Sequence, residues 1–296
     1  MGRDKGTVVN HMHYKPSGSL KKFVDVSKKK TRVLGSVERH IIAKPSDTSR
    51  RTDVLHPSEM ADSLWCYRAS YFQLLGRPVI AKRAASLRLM SVFEEGHGIH
   101  AKWQRWFQEM GCLFGKWYCH ECEEMFWGGS DCHDGPLSYR EVPLFYSPLR
   151  IMGHSDGWLT NLGDPLMLEI KSIGMGTIRY EAPELLAEHN GNFDKIWDSL
   201  SAPFMKHITQ VQIYMKLAEL LSKTDSSYEG FPNEAVIIYE AKPTQEVKEF
   251  VIPKSDFDIE HLFEAAKRIV DAVDNLEPVP CNISPNGCNK CKGYDE

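Results

Sequence analysis

Hydrophobic residues recur with helical spacing in four parts of the chain. The first predicted helix runs from Ser58 to Leu75 and the second from about Ser86 to Met110. A third covers about Pro203 to Leu221. The last begins at Ser255, where Asp258 completes a capping-box-like start, and its apolar face repeats about every 3.6 residues through Ile259, Leu262, Phe263, Ala266, Ile269, Val270 and Val273.

Elsewhere the pattern changes to the alternation that is typical of strands. Leu149 to Leu159 and Leu166 to Ile173 are predicted strands joined by a polar turn, and Ala235 to Tyr239 and Val247 to Ile252 form two more. A further strand is predicted within Thr31 to Lys44. Strands and helices in this order predict a mixed α/β protein.

Charge divides the chain into a basic start and an acidic remainder. Residues 1–53 carry 13 lysines and arginines against 5 acidic residues, whereas the rest carries 23 against 35. We predict a basic extension over residues 1–55 that meets a polyanion, followed by one domain over residues 56–296. A solvated tail would have the same composition. Within the domain, residues 111–136 form an insert rich in Gly, Trp and Cys that is expected to be too irregular for a buried element.

The composition excludes several classes of protein. With 42% hydrophobic and 26% charged residues, a chain of 296 residues is neither disordered nor a coiled coil. It contains no apolar run of about 18 residues and no signal peptide, so we expect a cytoplasmic protein with no membrane partner. In that reducing compartment, eight clustered cysteines indicate metal binding rather than disulfides.

The two strands around the polar turn carry a pair of carboxylates. Glu169 and Lys171 lie on one face of the second strand, because alternate residues share a face. A hairpin centred between Leu162 and Gly163 would place Asp156 opposite Glu169. Two close carboxylates repel each other unless a cation neutralises them, and oxygen ligands suit Mg²⁺ or Mn²⁺. Such a site is suited to phosphodiester hydrolysis, although a cross-strand surface pair would show the same spacing.

Polar residues interrupt the apolar faces of two predicted helices. His100 in the second helix stands where an apolar residue is expected, and Gly96 one turn earlier would let another segment approach closely. In the third helix, Gln210 and Tyr214 share a face with His207. Each of these residues would equally fit an ordinary hydrogen-bonded position at the edge of a core.

Together these residues form an ordered set of motifs that resembles the RecB-like branch of the PD-(D/E)XK nuclease superfamily. The resemblance covers about residues 57–296, and its motifs are Gly96-x3-His100, Gly153-His154-x-Asp156, Glu169-x-Lys171 and Gln210-x3-Tyr214. It implies a restriction-endonuclease-like core, in which helices flank a mixed sheet. The proline of the superfamily's name is absent, and Ser155 stands in its place.

The resemblance also implies a role for each motif. The catalytic Mg²⁺ or Mn²⁺ would be bound by His100, Asp156, Glu169 and the carbonyl of Ile170. Lys171 would activate or position the attacking water. Gln210 and Tyr214 would support the site or the DNA strand.

Four cysteines resemble the iron–sulfur site of some nucleases in this branch. In AddB-like nuclease domains and CRISPR-associated RecB-family exonucleases, one early and three late cysteines hold a [4Fe-4S] cluster, and the matching residues here are Cys66, Cys281, Cys288 and Cys291. The cluster would fasten the first helix of the domain to the C-terminus. Four thiolates would equally suit zinc.

The remaining cysteines predict a zinc site in the insert. Cys119 and Cys122 have the C-x2-C spacing of a zinc knuckle, and Cys132 and His133 follow about ten residues later. The fourth ligand is either Cys112 or His133, and the even number of cysteines slightly favours Cys112. Zinc would organise an insert that is too short to fold alone.

The sequence therefore predicts a metal-dependent DNA exonuclease. The resemblance implies single-stranded DNA ends as substrate and 5′ to 3′ polarity. It also implies a stand-alone role in phage recombination or replication, or in CRISPR adaptation, with a protein partner from that pathway in a bacterial cell or phage-infected host. Two alternatives are a catalytically inactive nucleic-acid-binding adaptor and an RNA-directed nuclease.

Overall fold

The chain divides into two compact units, Met1–Ser46 with Ala84–Ser91 and Asp47–Arg83 with Val92–Glu296. The computed structural model describes residues 33–43, 50–78, 86–128, 136–256 and 259–294. Most of the predicted basic extension therefore lies outside the described residues.

The described part of the first unit is helical. Helix α1 covers Leu34–Ala43, so the strand predicted within Thr31 to Lys44 is wrong. Leu34, Val37 and Ile41 are three and four residues apart, which is the spacing of one helix face rather than of a strand. The start of the long helix Leu87–Glu109 also belongs to this unit.

Further helices follow α1 along the described chain. Two of them, α4 and α8, confirm the second and third predicted helices. They are α2 (Pro57–Met60), α3 (Tyr67–Leu74), α4 (Leu87–Glu109), α5 (Met175–Glu181), α6 (Pro183–Glu188), α7 (Phe193–Ser199), α8 (Met205–Ser222) and α9 (Glu260–Asp274). Short 3₁₀ turns cover Ser147–Leu149, Ser226–Tyr228 and Cys291–Gly293. None of the described helices is both long enough and apolar enough to cross a membrane.

The first predicted helix, Ser58 to Leu75, is split into α2 and α3. Pro57 occupies the first turn of α2, which ends at Met60. The Cys66 thiol caps α3 by accepting a hydrogen bond from the Ala69 amide over 3.4 Å. Cysteine is not among the usual capping residues, so no capping pattern marks this start in the sequence.

The last helix begins at Glu260 rather than at the predicted start, Ser255. The Ser255 amide donates a hydrogen bond to Gln212 Oε1 over 2.7 Å, and the Lys254 amide donates one to the Asn233 carbonyl over 2.9 Å, so the chain still follows β9 at the predicted start. Asp258, which was expected to complete the capping box, lies outside the described residues. The predicted apolar face of the helix is found, and its buried members include Leu262 and Ile269.

The strands form a five-stranded sheet and two smaller sheets. They are β1 (Leu113–Phe114), β2 (Lys116–Cys119), β3 (Met125–Trp127), β4 (Leu137–Tyr139), β5 (Val142–Tyr146), β6 (Ile151–Ser155), β7 (Gly157–Leu159), β8 (Leu166–Ile173), β9 (Glu234–Ala241) and β10 (Val247–Pro253). The large sheet has the order β1-β7-β8-β9-β10, in which β8 and β9 are parallel and the other neighbours are antiparallel. The smaller sheets have the orders β3-β2-β4 and β5-β6.

Strand β8 separates two apolar clusters. Leu168 and Ile170 join a cluster with buried residues of α4. Met167 and Ile173 join the larger cluster, which contains buried residues of α8 and α9. Helices therefore flank both faces of the mixed sheet, which confirms the predicted α/β class. The same alternation directs Glu169 toward α8.

The predicted insert, residues 111–136, is more ordered than expected. Strand β2 pairs with β3 on one side and with β4 on the other, and Trp117 and Cys119 are buried. Trp117 packs against Tyr139 with ring centroids 4.9 Å apart. The prediction that this segment is too irregular to be buried is therefore wrong for β2. Residues 129–135 lie outside the described part.

Candidate functional site

The hairpin of β7 and β8 has the register predicted from the sequence. Gly157 pairs with Leu168, and this register places the preceding Asp156 across from Glu169. Asp156 is 6% exposed and Glu169 is 3% exposed. The two carboxylates are therefore close together and nearly buried at the end of the pairing.

Asp156 is held at the break between β6 and β7. Its Oδ2 accepts a hydrogen bond from the Ile170 amide over 2.6 Å, and its carbonyl accepts one from the Tyr139 hydroxyl over 3.0 Å. Its Oδ1 lies 3.0 Å from Nδ1 of His100. One carboxylate oxygen is thus fixed by the backbone of β8, and the other by the predicted histidine.

His100 reaches Asp156 because α4 packs closely on β8. A Cβ on Gly96, one turn before His100, would lie 3.4 Å from Ser172 Oγ, so the strand approaches the helix at the predicted glycine. Burial lowers the pKa of His100, but the Asp156 carboxylate raises it, and overall this pKa lies above its ordinary value. The imidazole beside Asp156 therefore favours its charged form.

Glu169 and Lys171 form an ion pair on the α8 side of the sheet. Lys171 Nζ lies 2.5 Å from Glu169 Oε1 and donates a hydrogen bond to Gln210 Oε1 over 3.2 Å. Gln210 Nε2 donates to Glu169 Oε1 over 3.0 Å and to the Tyr214 hydroxyl over 2.9 Å. One glutamine amide therefore holds both charged groups, and Gln210 and Tyr214 lie in the site.

Burial and neighbouring charges shift the pKa values of both partners in this ion pair. Burial raises the pKa of Glu169 to about 7, and Asp156 adds to the rise while Lys171 opposes it. Burial lowers the pKa of Lys171, but Glu169 and Asp156 raise it above its ordinary value overall. The amine is therefore protonated, and a single lysine charge faces two carboxylates.

Gly153 and His207 each pack against a tyrosine side chain. A Cβ on Gly153 would lie 2.7 Å from the Tyr214 ring, so glycine makes room for that ring. His207 Nδ1 lies beside the Tyr239 hydroxyl, and burial lowers the pKa of His207 well below its ordinary value. His207 is thus a neutral residue that faces Tyr239.

A third carboxylate, that of Glu141, lies near the site and was missed by sequence reasoning; it follows by two residues Tyr139, whose hydroxyl bonds to the Asp156 carbonyl. Burial, with Asp156 adding to the effect, raises the pKa of Glu141 to about 7, while His100 and a hydrogen bond from Gln104 oppose the rise. The backbone of Glu141 has a φ of 60°, a left-handed conformation that is uncommon for residues other than glycine. The sequence marks Glu141 only as an acidic residue before a strand.

Four cysteines come together as predicted: Cys66, Cys281, Cys288 and Cys291. Their Sγ atoms all lie within 4.8 Å of one another. The Sγ atoms of Cys66 and Cys281 are 3.7 Å apart, and those of Cys288 and Cys291 are 3.9 Å apart. Burial raises the pKa of Cys281, but backbone hydrogen bonds at Ser284 and Ile283 lower it to about 6 overall. The cluster therefore offers a thiolate near neutral pH.

Two of the sulfur separations can be compared with the geometry of a zinc ion and of an iron–sulfur cluster. A Zn–S bond of about 2.3 Å in a tetrahedron separates the sulfurs by about 3.8 Å. The shortest separations in the cluster match this value. A [4Fe-4S] cluster holds its thiolates farther apart, because iron and sulfide ions lie between them. The observed spacing therefore fits a single tetrahedral ion directly, whereas the iron–sulfur cluster requires the thiols to move apart.

Asn282 fixes the early cysteine against the late ones. Its Oδ1 accepts a hydrogen bond from the Tyr67 amide over 2.9 Å, and its Nδ2 donates one to the Trp65 carbonyl over 3.0 Å. Asn282 thus bonds to the backbone on both sides of Cys66. Sequence reasoning missed it, and its position next to Cys281 was the available signal.

Cys112 packs into the apolar core. It is buried in the apolar cluster of α4, where its Sγ donates to the Phe107 carbonyl over 3.4 Å. Within the described ranges, Cys112, Cys119 and Cys122 form no three-ligand group. The choice between Cys112 and His133 as the fourth zinc ligand stays a prediction. The remaining predicted ligands, Cys132 and His133, lie outside the described residues.

Comparisons with known proteins give distant structural likenesses. No family model matches the chain, and no curated protein matches its sequence. The solved protein SSO0001 is 10% identical with a TM-score of 0.35, over 87% of this chain and 86% of that one. The alkaline exonuclease LHK-Exo from Laribacter hongkongensis is 13% identical with a TM-score of 0.43, over 77% of this chain and 91% of that one. Its complex with dAMP is 13% identical with a TM-score of 0.42, over 76% and 90%.

Proposed function

We propose that the chain is a metal-dependent nuclease that hydrolyses phosphodiester bonds in DNA. The observation that carries this proposal is the meeting of Asp156, Glu169 and Lys171 at the end of one hairpin, with both carboxylates nearly buried. Buried acids that repel each other destabilise a fold unless a cation offsets their charge. This arrangement supports a catalytic site over a structural ion pair.

A divalent cation fits the donor set of this site. Burial and the Asp156 carboxylate raise the pKa values of Glu169 and Glu141 to about 7, so a bound cation would be needed to keep both acids ionised at neutral pH. A hard cation such as Mg²⁺ or Mn²⁺ would be held by Asp156, Glu169, His100 and the carbonyl of Ile170. When bound, it would offset charge on the phosphate and lower the pKa of a water.

Lys171 is placed to stabilise the reacting phosphate. Its protonated amine lies between Glu169 Oε1 and Gln210 Oε1, so its direction is fixed before substrate arrives. A fixed positive charge orients the attacking water and offsets the negative charge that builds up on the phosphate oxygens. Gln210 is a positioning residue, because its amide holds Lys171 at one end and Glu169 at the other.

The substrate that we propose is a single-stranded DNA end, cut in the 5′ to 3′ direction. The motif set supports this choice, and the basic extension predicted over residues 1–55 would bind the phosphate backbone. Phage recombination or replication, or CRISPR adaptation, would use such an activity with a partner protein. The intact acids and Lys171 favour an active enzyme over an adaptor.

The cysteine cluster would hold a second, structural metal. It joins the start of α3 to the C-terminal segment, and its sulfur spacing supports zinc. The [4Fe-4S] cluster implied by the motifs would give a brown protein with four irons per chain, so metal analysis after anaerobic purification separates the two. A separate zinc site at Cys119, Cys122, Cys132 and His133 stays a proposal for the insert.

Cleavage of matched nucleic acids tests the proposed activity. We expect the protein with Mn²⁺ to shorten linear single-stranded DNA from its 5′ end, to leave circular single-stranded DNA intact and to cut RNA of the same sequence more slowly. Faster cleavage of RNA would contradict the DNA assignment. Cleavage of the circle would contradict exonuclease action, and binding of every substrate without cleavage would favour the adaptor.

A further inference from the structure

A groove beside the carboxylate site has no role in the chemistry described above. Its volume is about 470 Å³, and it lies between the segment joining α2 to α3, the end of α5 and the start of α8. The lining residues that matter for its chemistry are Asp62, Leu64, Tyr180, Glu181, Met205 and Lys206.

The groove is lined by residues next to both the carboxylate site and the cysteine cluster. Lys206 lies one helical turn before Gln210 on α8, and the Gln210 amide bonds to Lys171 and Glu169, so this wall of the groove is near the carboxylates. Trp65 and Asn282, which hold the cysteine cluster together, also line the groove. A nucleotide next to a phosphate bound at the carboxylates is therefore within reach of the groove.

The charges in the groove oppose the binding of an anion. Lys206 Nζ lies 3.4 Å from Glu181 Oε1 and 3.8 Å from Asp62 Oδ2. Lys290 pairs with the same Asp62 carboxylate over 3.1 Å. These cations are neutralised within the protein, and a phosphate in the groove would meet two carboxylates. The groove therefore suits a neutral ligand.

Apolar side chains at the groove remain open to solvent. The exposed fraction is 52% for Leu64, 60% for Tyr180 and 72% for Met205. Exposed apolar groups around a cleft are typical of binding sites. Lys206 Nζ lies 5.3 Å from the centroid of the Tyr180 ring, on one face. The other face offers a stacking surface for a nucleobase, which is flat, neutral and polar at its edges.

We propose that this groove binds an unpaired base next to the scissile phosphate, with the base stacked on Tyr180. The inference rests on the proposed nuclease function and adds recognition of the base to recognition of the phosphate. A base in a duplex must first leave its stack and its partner, which costs free energy. The groove would therefore favour single-stranded DNA.

The test is a double-mutant cycle between Tyr180 and the base. Tyr180→Ala should raise KM for single-stranded DNA about tenfold with kcat little changed, because stacking contributes mainly to binding. Tyr180→Phe should keep the wild-type KM. Substrates with one abasic nucleotide, placed in turn along the strand, should show a similar rise in KM at one position. At that position, the abasic nucleotide should cause no further rise in KM for the Tyr180→Ala protein.

The matched control is Phe145→Ala, which removes another exposed aromatic ring, on β5, and should leave KM unchanged. Tyr180 is exposed, so the melting temperature of Tyr180→Ala should equal that of the wild type. An unchanged KM for Tyr180→Ala would overturn the stacking proposal. So would a combined rise in KM equal to the product of the rises caused by the variant and by the abasic nucleotide separately.

Failure of the proposed function is a different outcome from failure of the groove. If the wild type cuts no nucleic acid, the nuclease assignment falls, and fluorescence anisotropy with the same oligonucleotides tests the groove alone. Weaker binding by Tyr180→Ala, with no further loss at the abasic position, would support the groove. If neither Tyr180→Ala nor the abasic nucleotide changes the affinity for DNA, the groove proposal is overturned.

Discussion

At the scale of single residues, the site gathers carboxylates around one protonated lysine. Burial and the Asp156 carboxylate raise the pKa values of Glu169 and Glu141, and Lys171 forms an ion pair with Glu169. His100 Nδ1 lies 3.0 Å from Asp156 Oδ1, and this carboxylate raises the pKa of His100 against the effect of burial. The protein thus arranges an excess of negative charge that costs stability and attracts a cation.

Replacing Glu141 with glutamine should raise stability and lower activity. The amide removes a buried like charge, so in EDTA at mildly alkaline pH the free energy of unfolding should rise by about 1 kcal/mol. Cleavage should slow by about tenfold or more, because the site attracts a cation less strongly. Melting temperature and initial rates measure the two effects. Glu249→Gln, exposed on β10, is the control, and a lower melting temperature for Glu141→Gln would contradict this account.

Of the residues Asp156, Glu169, Lys171 and Glu141, the sequence predicts all except Glu141. Alternation along β8 assigns Glu169 and Lys171 to one face, and the position of the turn fixes the register of Asp156. Glu141 precedes a different strand, and only the packing of that strand beside the hairpin brings it near. Periodicity relates residues within one helix, strand or hairpin, so it could not identify Glu141.

At the scale of elements, two glycines determine how closely the helices approach the strands. Gly96 lets β8 lie against α4, and Gly153 on β6 lets the Tyr214 ring of α8 reach the site. Through Gln210, Tyr214 is connected to Glu169. Packing at these glycines therefore sets the distances between the motif residues.

Gly153→Ala should destabilise the fold and disturb the site. The new Cβ would lie 2.7 Å from the Tyr214 ring and 3.0 Å from Pro57 Cγ, and overpacking of this kind costs about 1–3 kcal/mol. Gly98→Ala, on an exposed part of α4 with nothing within 4 Å, should be neutral or stabilise by up to about 1 kcal/mol. Urea unfolding measures both. Equal changes in the two variants would count against the packing described for Tyr214.

Element positions followed from periodicity where neighbouring structure did not intervene. The helices α4 and α8 and the strands β9 and β10 match their predicted bounds within a few residues. The split between α2 and α3 depends on Cys66, whose thiol acts as a cap. The late start of α9 follows from the Lys254 amide, which still bonds to the Asn233 carbonyl beside β9. Both are tertiary or side-chain contacts that hydrophobic patterns do not encode.

At the scale of the whole molecule, the cysteine cluster joins distant parts of the second unit. Cys66 lies near the start of this unit, and Cys281, Cys288 and Cys291 lie near its end. A metal that closes so long a loop removes much conformational freedom from the unfolded chain. The pairing was predicted because it resembles a known motif, whereas the tertiary position of Cys112 was not visible in its spacing.

Cys288→Ser should release the cluster metal and lower the melting temperature by several degrees or more. Cys112→Ala should keep the same metal content, because Cys112 lies in the apolar core away from the cluster. Elemental analysis and visible absorption measure the metal, and thermal unfolding measures the stability. Loss of this metal from the Cys112 variant, with retention in Cys288→Ser, would reverse the assignment.

The most direct test of the account is the rate of Mn²⁺-dependent cleavage of 5′-labelled single-stranded DNA by the wild type, Glu169→Gln and Glu249→Gln. We expect the wild type and Glu249→Gln to cut at equal rates. Glu169→Gln should lose about a hundredfold or more in rate while keeping its fold and its affinity for DNA. Cleavage by Glu169→Gln at the wild-type rate would show that the hairpin carboxylates do not form the active site.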